Sequence, residues 1–242
     1  MKKINCRNKS VLIIGDLHAP YQHPDTLKWL AAIKKKYLDK DSVIISIGDE
    51  VDNHAISFHD SISELPSADK ELEKACEFLQ ELESLFPAMH ILDSNHGSLV
   101  FRRLRKHMVP LTVLKPLHKI YGVSEKWRWH DELILSTLRG QTYLCHGRSA
   151  NAEKLVGAMG MSVVQGHYHG NHSLTWYCNG VESKYHGFTG CLVDEKSLAF
   201  SYGRLSTKKP ILGSILIRKS GTPLLLTMSL NKRRRWDKKL DC

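Results

Sequence analysis

The sequence predicts an α/β fold, and three observations point to it. Short β-branched runs alternate with longer amphipathic stretches through the first half, the pattern of β-α-β units. The second half turns to closely spaced strand runs separated by turn residues. Carboxylates, histidines and an asparagine stand directly after several strand runs, where open α/β sheets place their sites. A chain of 242 residues is long enough for one sizeable domain, expected over 1–230, followed by a basic tail at 231–242.

Taken in order, Val11 to Ile14 reads as a buried strand. Pro24 suits a first helical turn, and Leu27, Leu30, Ala31, Lys34 and Leu38 follow at helical spacing. Val43 to Ile47 is a second strand. Ser67 caps a helix in which Leu72, Ala75, Cys76, Leu79, Leu82 and Phe86 recur every three or four residues, and Pro87 ends it. His90 to Leu92 is a third strand, and a helix carrying Arg102, Arg103 and Arg105 starts near Ser98. Leu133 to Thr137 and Thr142 to Cys145 flank Arg139-Gly140 as a hairpin, and Val163-Val164 lead into Gly166.

After residue 170, runs at 173–178, 185–192, 211–218 and 223–229 are expected to be antiparallel. Turns are expected at Asn179-Gly180, Lys208 to Pro210 and Ser220-Gly221. Trp127 and Trp129 alternate as on one buried strand face, which is favoured over a platform that stacks a nucleic-acid base. Lys232, Arg233, Arg234, Arg235, Lys238 and Lys239 make the C-terminal run a candidate for disorder.

Composition narrows the function classes. With 42% hydrophobic and 25% charged residues, the chain has the make-up of a soluble globular protein. Its longest apolar runs fall far short of a membrane span of about 20 residues. Asn5, Arg7, Asn8 and Lys9 interrupt any secretory leader, so a cytoplasmic location is expected. Six cysteines without a C-x-x-C pair are expected to be free thiols. The net charge of +10 points to an anionic substrate or partner, and both nucleotides and nucleic acid satisfy it. An edge strand after residue 170 could support a homo-oligomer.

The polar residues form five ordered segments: Asp16-Leu17-His18, Gly48-Asp49-Glu50-Val51-Asp52, Asn95-His96, His146, and Gly166-His167-Tyr168-His169. Carboxylate, imidazole and amide oxygen together suit divalent manganese, iron or zinc, and the absence of thiolate weakens a structural zinc site. A carboxylate can span two ions about 3.5–4 Å apart. Asp49, at the end of the second strand, is the candidate bridge. One such residue at a strand end is an ordinary turn former; five segments in order are not. His146 is the weakest alone and gains from its place between the third and fifth segments.

The order and spacing of Asp-x-His, Gly-Asp-x-x-Asp, Asn-His, His and Gly-His-x-His over residues 10–170 resemble the calcineurin-like metallophosphoesterase family. The resemblance implies a four-layer α/β sandwich, two mixed β-sheets flanked by helices. It implies that Asp16, His18, Asp49 and His169 hold one divalent ion, and Asp49, Asn95, His146 and His167 a second. Manganese is the first expectation, with iron, zinc, nickel or cobalt as alternatives. It further implies in-line attack of hydroxide on phosphorus, with His96 protonating the leaving oxygen and Asp52 orienting or charging that histidine.

The chain departs from the family pattern at Ser94, where glycine is usual, at Gly97, where an acid is usual, and at Asn53-His54, where phosphatase branches carry Arg-Gly. Protein phosphatase activity is therefore disfavoured. Arg148 is an even candidate for phosphate contact, while Arg102 and its neighbours read first as a solvated basic face that could supply a clamp. Asp60, Asp93, His54, His59, His172 and His186 receive no role. The expected activity is hydrolysis of a nucleotide phosphomonoester, as in a small phage or bacterial nucleotidase. A phosphodiesterase acting on DNA is the alternative, and a non-catalytic metal-binding scaffold is the least favoured.

Overall fold

In the computed structural model, which describes residues 1–58, 66–197 and 209–240, all four residues of strand β2 (Val11–Ile14) are buried. Val11 and Ile13 join one hydrophobic cluster, Leu12 and Ile14 another. A strand apolar on both faces needs cover on both sides, and this dictates the layering.

One sheet runs in the order β12 (Pro223–Thr227), β11 (Gly213–Ile217), β2, β3 (Val43–Ser46), β4 (Met89–Leu92), β5 (Trp127–His130). β2 through β5 are parallel neighbours, with Ile13 opposite Ile45. β11 is antiparallel to both β2 and β12. The second sheet runs β1 (Lys2–Asn5), β6 (Leu133–Thr137), β7 (Gly140–Cys145), β8 (Ser162–Gln165), β10 (Ser183–Thr189), β9 (His172–Cys178).

Between the sheets, Ile13, Ile45, Leu92 and Ile215 meet Leu133, Leu135, Leu144 and Val164. Helices α1 (Thr26–Tyr37) and α2 (Ala68–Leu85) cover the outer face of the first sheet through Trp29, Leu30, Ile33, Leu79 and Leu82. Each fully buried leucine there contributes about 1.5–3 kcal/mol relative to exposure. Ser67 caps α2 as expected, its side chain accepting from the Lys70 N–H. Helix α5 (Ala152–Met159) lays Leu155 and Val156 on Ile134, Tyr143 and Val163 of the second sheet. The architecture is a four-layer α/β sandwich with two mixed sheets, as the resemblance implied.

Several local expectations change. β10 pairs parallel with β8, not antiparallel, because the chain reverses at the β9–β10 hairpin before β10 inserts beside β8. The strand-rich region is then divided, since β11 and β12 cross to the other sheet. β1 was not foreseen; its exposed lysines give no apolar pattern, and pairing with β6 holds it. Helix α3 (Leu99–Lys106) starts after Ser98 as expected, whereas the short helix α4 (Leu117–Tyr121) and α5 have no counterpart in the sequence reading. Trp127 is buried on β5, as the strand reading expected.

The basic C-terminal run is folded, which corrects its reading as disordered. Arg235 forks onto the Asp25 carboxylate, whose Oδ2 also accepts the Trp236 N–H at 3.0 Å. His23 Nε2 donates to the Arg234 carbonyl at 3.0 Å, and Trp236 and Leu240 pack on the helix-side core. Charge predicts disorder only where nothing meets the charge and no apolar side chain finds cover; here both are supplied.

Cys6, Cys76, Cys145, Cys178 and Cys191 are free thiols. No helix among the described residues is long and apolar enough to cross a membrane. His59, Asp60, Lys208 and Cys242 lie outside the described residues.

Candidate metal centre

The five polar segments follow β2, β3, β4, β7 and β8 directly, so they emerge at the carboxyl ends of strands from both sheets. Main-chain bonds tie the first two together: Leu17 and His18 both donate to the Asp49 carbonyl, at 3.1 and 2.7 Å, and Asp52 donates back to Ala19. His18, Asp49, Asn53 and His167 all take positive φ, between 48° and 67°. Such conformations cost of order 1–3 kcal/mol each and persist where surrounding bonds over-determine them.

Asp16, His18, Asp49 and His169 bring one donor atom each within 4.8 Å of one another, and Asp49, His146 and His167 do the same. Asp49 belongs to both groups. Its Oδ2 lies 3.2 Å from His18 Nε2 and 3.1 Å from His146 Nε2. Asn95 Oδ1 joins the second group, 2.8 Å from His146 Nε2 and 3.1 Å from His167 Nδ1. His169 Nε2 is 3.2 Å from Asp16 Oδ2 and 3.1 Å from His18 Nε2.

The outer contacts set the histidine tautomers. His146 Nδ1 lies 3.1 Å from the Ile47 carbonyl, which can only accept, so Nδ1 carries the proton and the Nε2 lone pair faces the donors. His18 Nδ1 stands 2.5 Å from Asp52 Oδ1, with the same consequence for its Nε2. Such outer partners are typical of metal-ligating imidazoles. His96 Nδ1 lies 2.5 Å from the Asp52 carbonyl and 3.3 Å from its carboxylate. The expected pairing of Asp52 with His96 is present through the carboxylate at 3.3 Å and, more closely, through the carbonyl, while the same carboxylate also approaches His18 at 2.5 Å.

The donors are short of positive charge. Burial lowers His18, but Asp49 and Asp52 outweigh it and push the imidazole up to about 10. Burial likewise opposes, and Asp49 and Asp16 overcome, at His146, pushed up to about 9. Buried Asp16 Oδ1 has no hydrogen-bond partner among the described residues. Carboxylate oxygens, imidazole nitrogens and an amide oxygen converging in this way, with Asp16 Oδ1 unmet, fit divalent cations, and the residues present match such a group. His96 differs: burial, then His18, lower it.

A family model described as calcineurin-like phosphoesterase matches residues 9–184. The chain belongs to the calcineurin-like phosphoesterase family. Among solved structures it is similar to one assigned as a diadenosine tetraphosphatase, at 12% identity and TM-score 0.42, covering 93% of this chain and 97% of that one. It is also similar to a serine/threonine phosphatase from Saccharomyces cerevisiae related to human PP5, at 9% identity and TM-score 0.44, covering 96% and 84%. No curated protein matches. As a calcineurin-like phosphoesterase the chain is a phosphoester hydrolase with a His/Asp cluster able to bind metal.

Beside the Asn95, His146 and His167 half of the phosphoesterase centre lies a recess of about 510 Å³, lined in part by Arg102, Arg148, Asp93, Asp131 and Glu132. Arg102 donates to the Asn95 carbonyl, which ties its guanidinium to the site. Arg148 pairs with Glu132 and remains half exposed at the rim. Arg103 turns away to the Ile56 and Ser57 carbonyls. Phe58 lies within 6 Å of Arg102, Arg103 and Lys106.

Sequence reasoning missed Glu50 and Gln165. Gln165 accepts the Arg148 N–H and donates to the Ser149 carbonyl, fixing the loop after His146. Its position directly before Gly166-His167 was the available signal. Of the histidines left without a role, His186 bonds Gln165, and His172 bonds the Thr189 carbonyl and Thr227. The His54 N–H goes to Glu71.

Proposed function

We propose that the protein hydrolyses the phosphomonoester of a nucleotide, with Asp16, His18, Asp49 and His169 holding one divalent ion and Asp49, Asn95, His146 and His167 a second. Two such ions supply Lewis-acid polarisation of the phosphoryl group and an activated water. His96, its Nδ1–H held by the Asp52 carbonyl, acts in its doubly protonated form: the Nε2 proton passes to the leaving oxygen and the ring returns to the neutral Nδ1–H tautomer. Asp52 and the Ile47 carbonyl keep His18 and His146 in the ligating tautomer.

The mixed charge of the neighbouring recess carries the choice of substrate. About 510 Å³ lies within the usual range for small-molecule sites. Arg102 and Arg148 suit phosphate oxygens, whereas Asp93, Asp131 and Glu132 suit sugar hydroxyls or a base amino group. A further backbone phosphate would meet Asp93 and Asp131, which disfavours a polynucleotide. Manganese is the expected metal.

A second reading, a phosphodiesterase on DNA, is favoured by the docked C-terminal segment, which leaves Lys232, Arg233, Lys238 and Lys239 exposed. A manganese-supplemented assay on deoxynucleoside monophosphates, bis-p-nitrophenyl phosphate and single-stranded DNA separates the two. Turnover of monophosphates alone supports the first reading; cleavage of only the diester and DNA overturns it. Asp49→Ala abolishes both activities if the two groups share that carboxylate, and retained turnover rules out the dimetal arrangement.

A further inference from the structure

Glu50 is 1% exposed, and its Oε1 accepts the Trp129 Nε1–H at 2.8 Å. Its Oε2 has no hydrogen-bond partner among the described residues. A buried carboxylate is costly and is retained where its bonding matters. Above it lies the turn from Ser94 to Gly97 that carries Asn95 and His96. Ser94 Oγ accepts the N–H groups of Asp49 at 2.9 Å and Gly97 at 3.0 Å. Asp49 Oδ1 in turn accepts the His96 N–H at 3.1 Å.

Gly97 makes the arrangement sterically specific. A Cβ there would lie 2.9 Å from Ser94 Oγ and 3.4 and 3.5 Å from Glu50 Oε2 and Oε1. A side chain at position 97 would point into the space that Glu50 and Ser94 fill. Ser94, Gly97 and Glu50 therefore form one packed unit, and the two breaks in the third segment belong together. Trp129 on β5 braces that unit from the neighbouring strand.

We propose that Glu50 is a positioning residue whose carboxylate, braced by Trp129, holds the His96-Gly97 end of the turn at the height His96 needs to reach the leaving oxygen. The proposal rests on the reading of His96 as the leaving-group acid. A misplacement of about 1 Å can cost about 10²-fold in rate. Glu50→Leu keeps roughly the volume and removes the acceptor; Glu50→Gln keeps an acceptor for Trp129.

The test compares kcat and KM on an alkyl phosphate, with a poor leaving group, and on p-nitrophenyl phosphate, whose phenolate leaves without a proton. E50L is expected to lose about 10²-fold in kcat on the alkyl ester and far less on the nitrophenyl ester, with KM and manganese affinity little changed. E50Q restores most of the rate, and W129F shows a weaker form of the same pattern. Equal loss on both esters, or E50Q as damaged as E50L, overturns the proposal.

His96→Ala is measured alongside. If H96A depends on the leaving group and E50L does not, only the role of Glu50 fails; if H96A is flat, the acid reading falls and this proposal with it. Should E50L not fold, G97E is compared with E50A/G97E. The Ser94 contact is common to both, and the double variant, which again holds one carboxylate in that space, is expected to be the more active on the alkyl ester. A double variant no better than G97E overturns the proposal.

Discussion

The Asp52 carboxylate closes on His18 Nδ1 at 2.5 Å, while His96 Nδ1 reaches the Asp52 carbonyl at the same distance. One residue thus serves two histidines through different groups. Only the carboxylate contact is open to substitution, because every residue at position 52 keeps a carbonyl.

Asp52→Ala is therefore expected to lower affinity for a divalent ion by about 10–100-fold, the usual cost of losing an outer partner of a ligating histidine. Asp52→Asn, whose amide oxygen still accepts from Nδ1–H, falls between. Manganese titration followed by electron spin resonance reads this directly. Wild-type affinity in D52A would show that the carboxylate does not serve His18.

His96→Ala leaves the donor groups around Asp49 intact and is expected to slow an alkyl phosphate by about 10²–10⁴-fold. Manganese affinity should stay close to wild type. An equal rate for the variant and the wild type on that ester excludes the acid role.

Gly166→Ala tests the close approach of two motifs. A Cβ at 166 would run into Asp16 Oδ1 and lie 2.6 Å from Ile47 Cγ2. The variant is expected to weaken metal binding through displacement of Asp16, with circular dichroism unchanged. Unaltered metal affinity would mean that Asp16 can move without consequence.

Docking of the C-terminal segment carries a pH signature. The Arg235 guanidinium, with help from the Trp236 N–H, holds Asp25 down at about 2. An unfolded aspartate titrates near 3.9. Because the folded value is the lower one, this contribution is complete above about pH 4 and is lost as pH falls through about 2. Trp236 fluorescence is expected to report release of the segment in that window, and Asp25→Asn to abolish the transition. A transition unchanged in D25N would assign it to another group.

How much could be read before the fold was known depended on whether the signal was local. Val11 to Ile14, the Ser67 cap and the repeat of Leu72, Ala75, Leu79 and Leu82 each specify an element from neighbouring residues, and each element is present. β1 and α4 escaped because a short segment held by its partner carries little periodicity of its own. The C-terminal run escaped for a related reason. Its charge was legible, but the Asp25 that receives Arg235 lies 210 residues away.

The chain by itself determined which residue types stand at the strand ends and the order in which those ends deliver them to one cluster. Residue type and spacing are local properties, and carboxylates and imidazoles keep their donor chemistry wherever they are set. Only the tertiary structure decided which atom faces which: that Asp52 turns its carboxylate to His18, and that Glu50 fills the space Gly97 leaves open. Those relations arise where β2, β3, β4 and β5 are brought side by side, and a few tenths of an ångström at such contacts separate a bond from a clash.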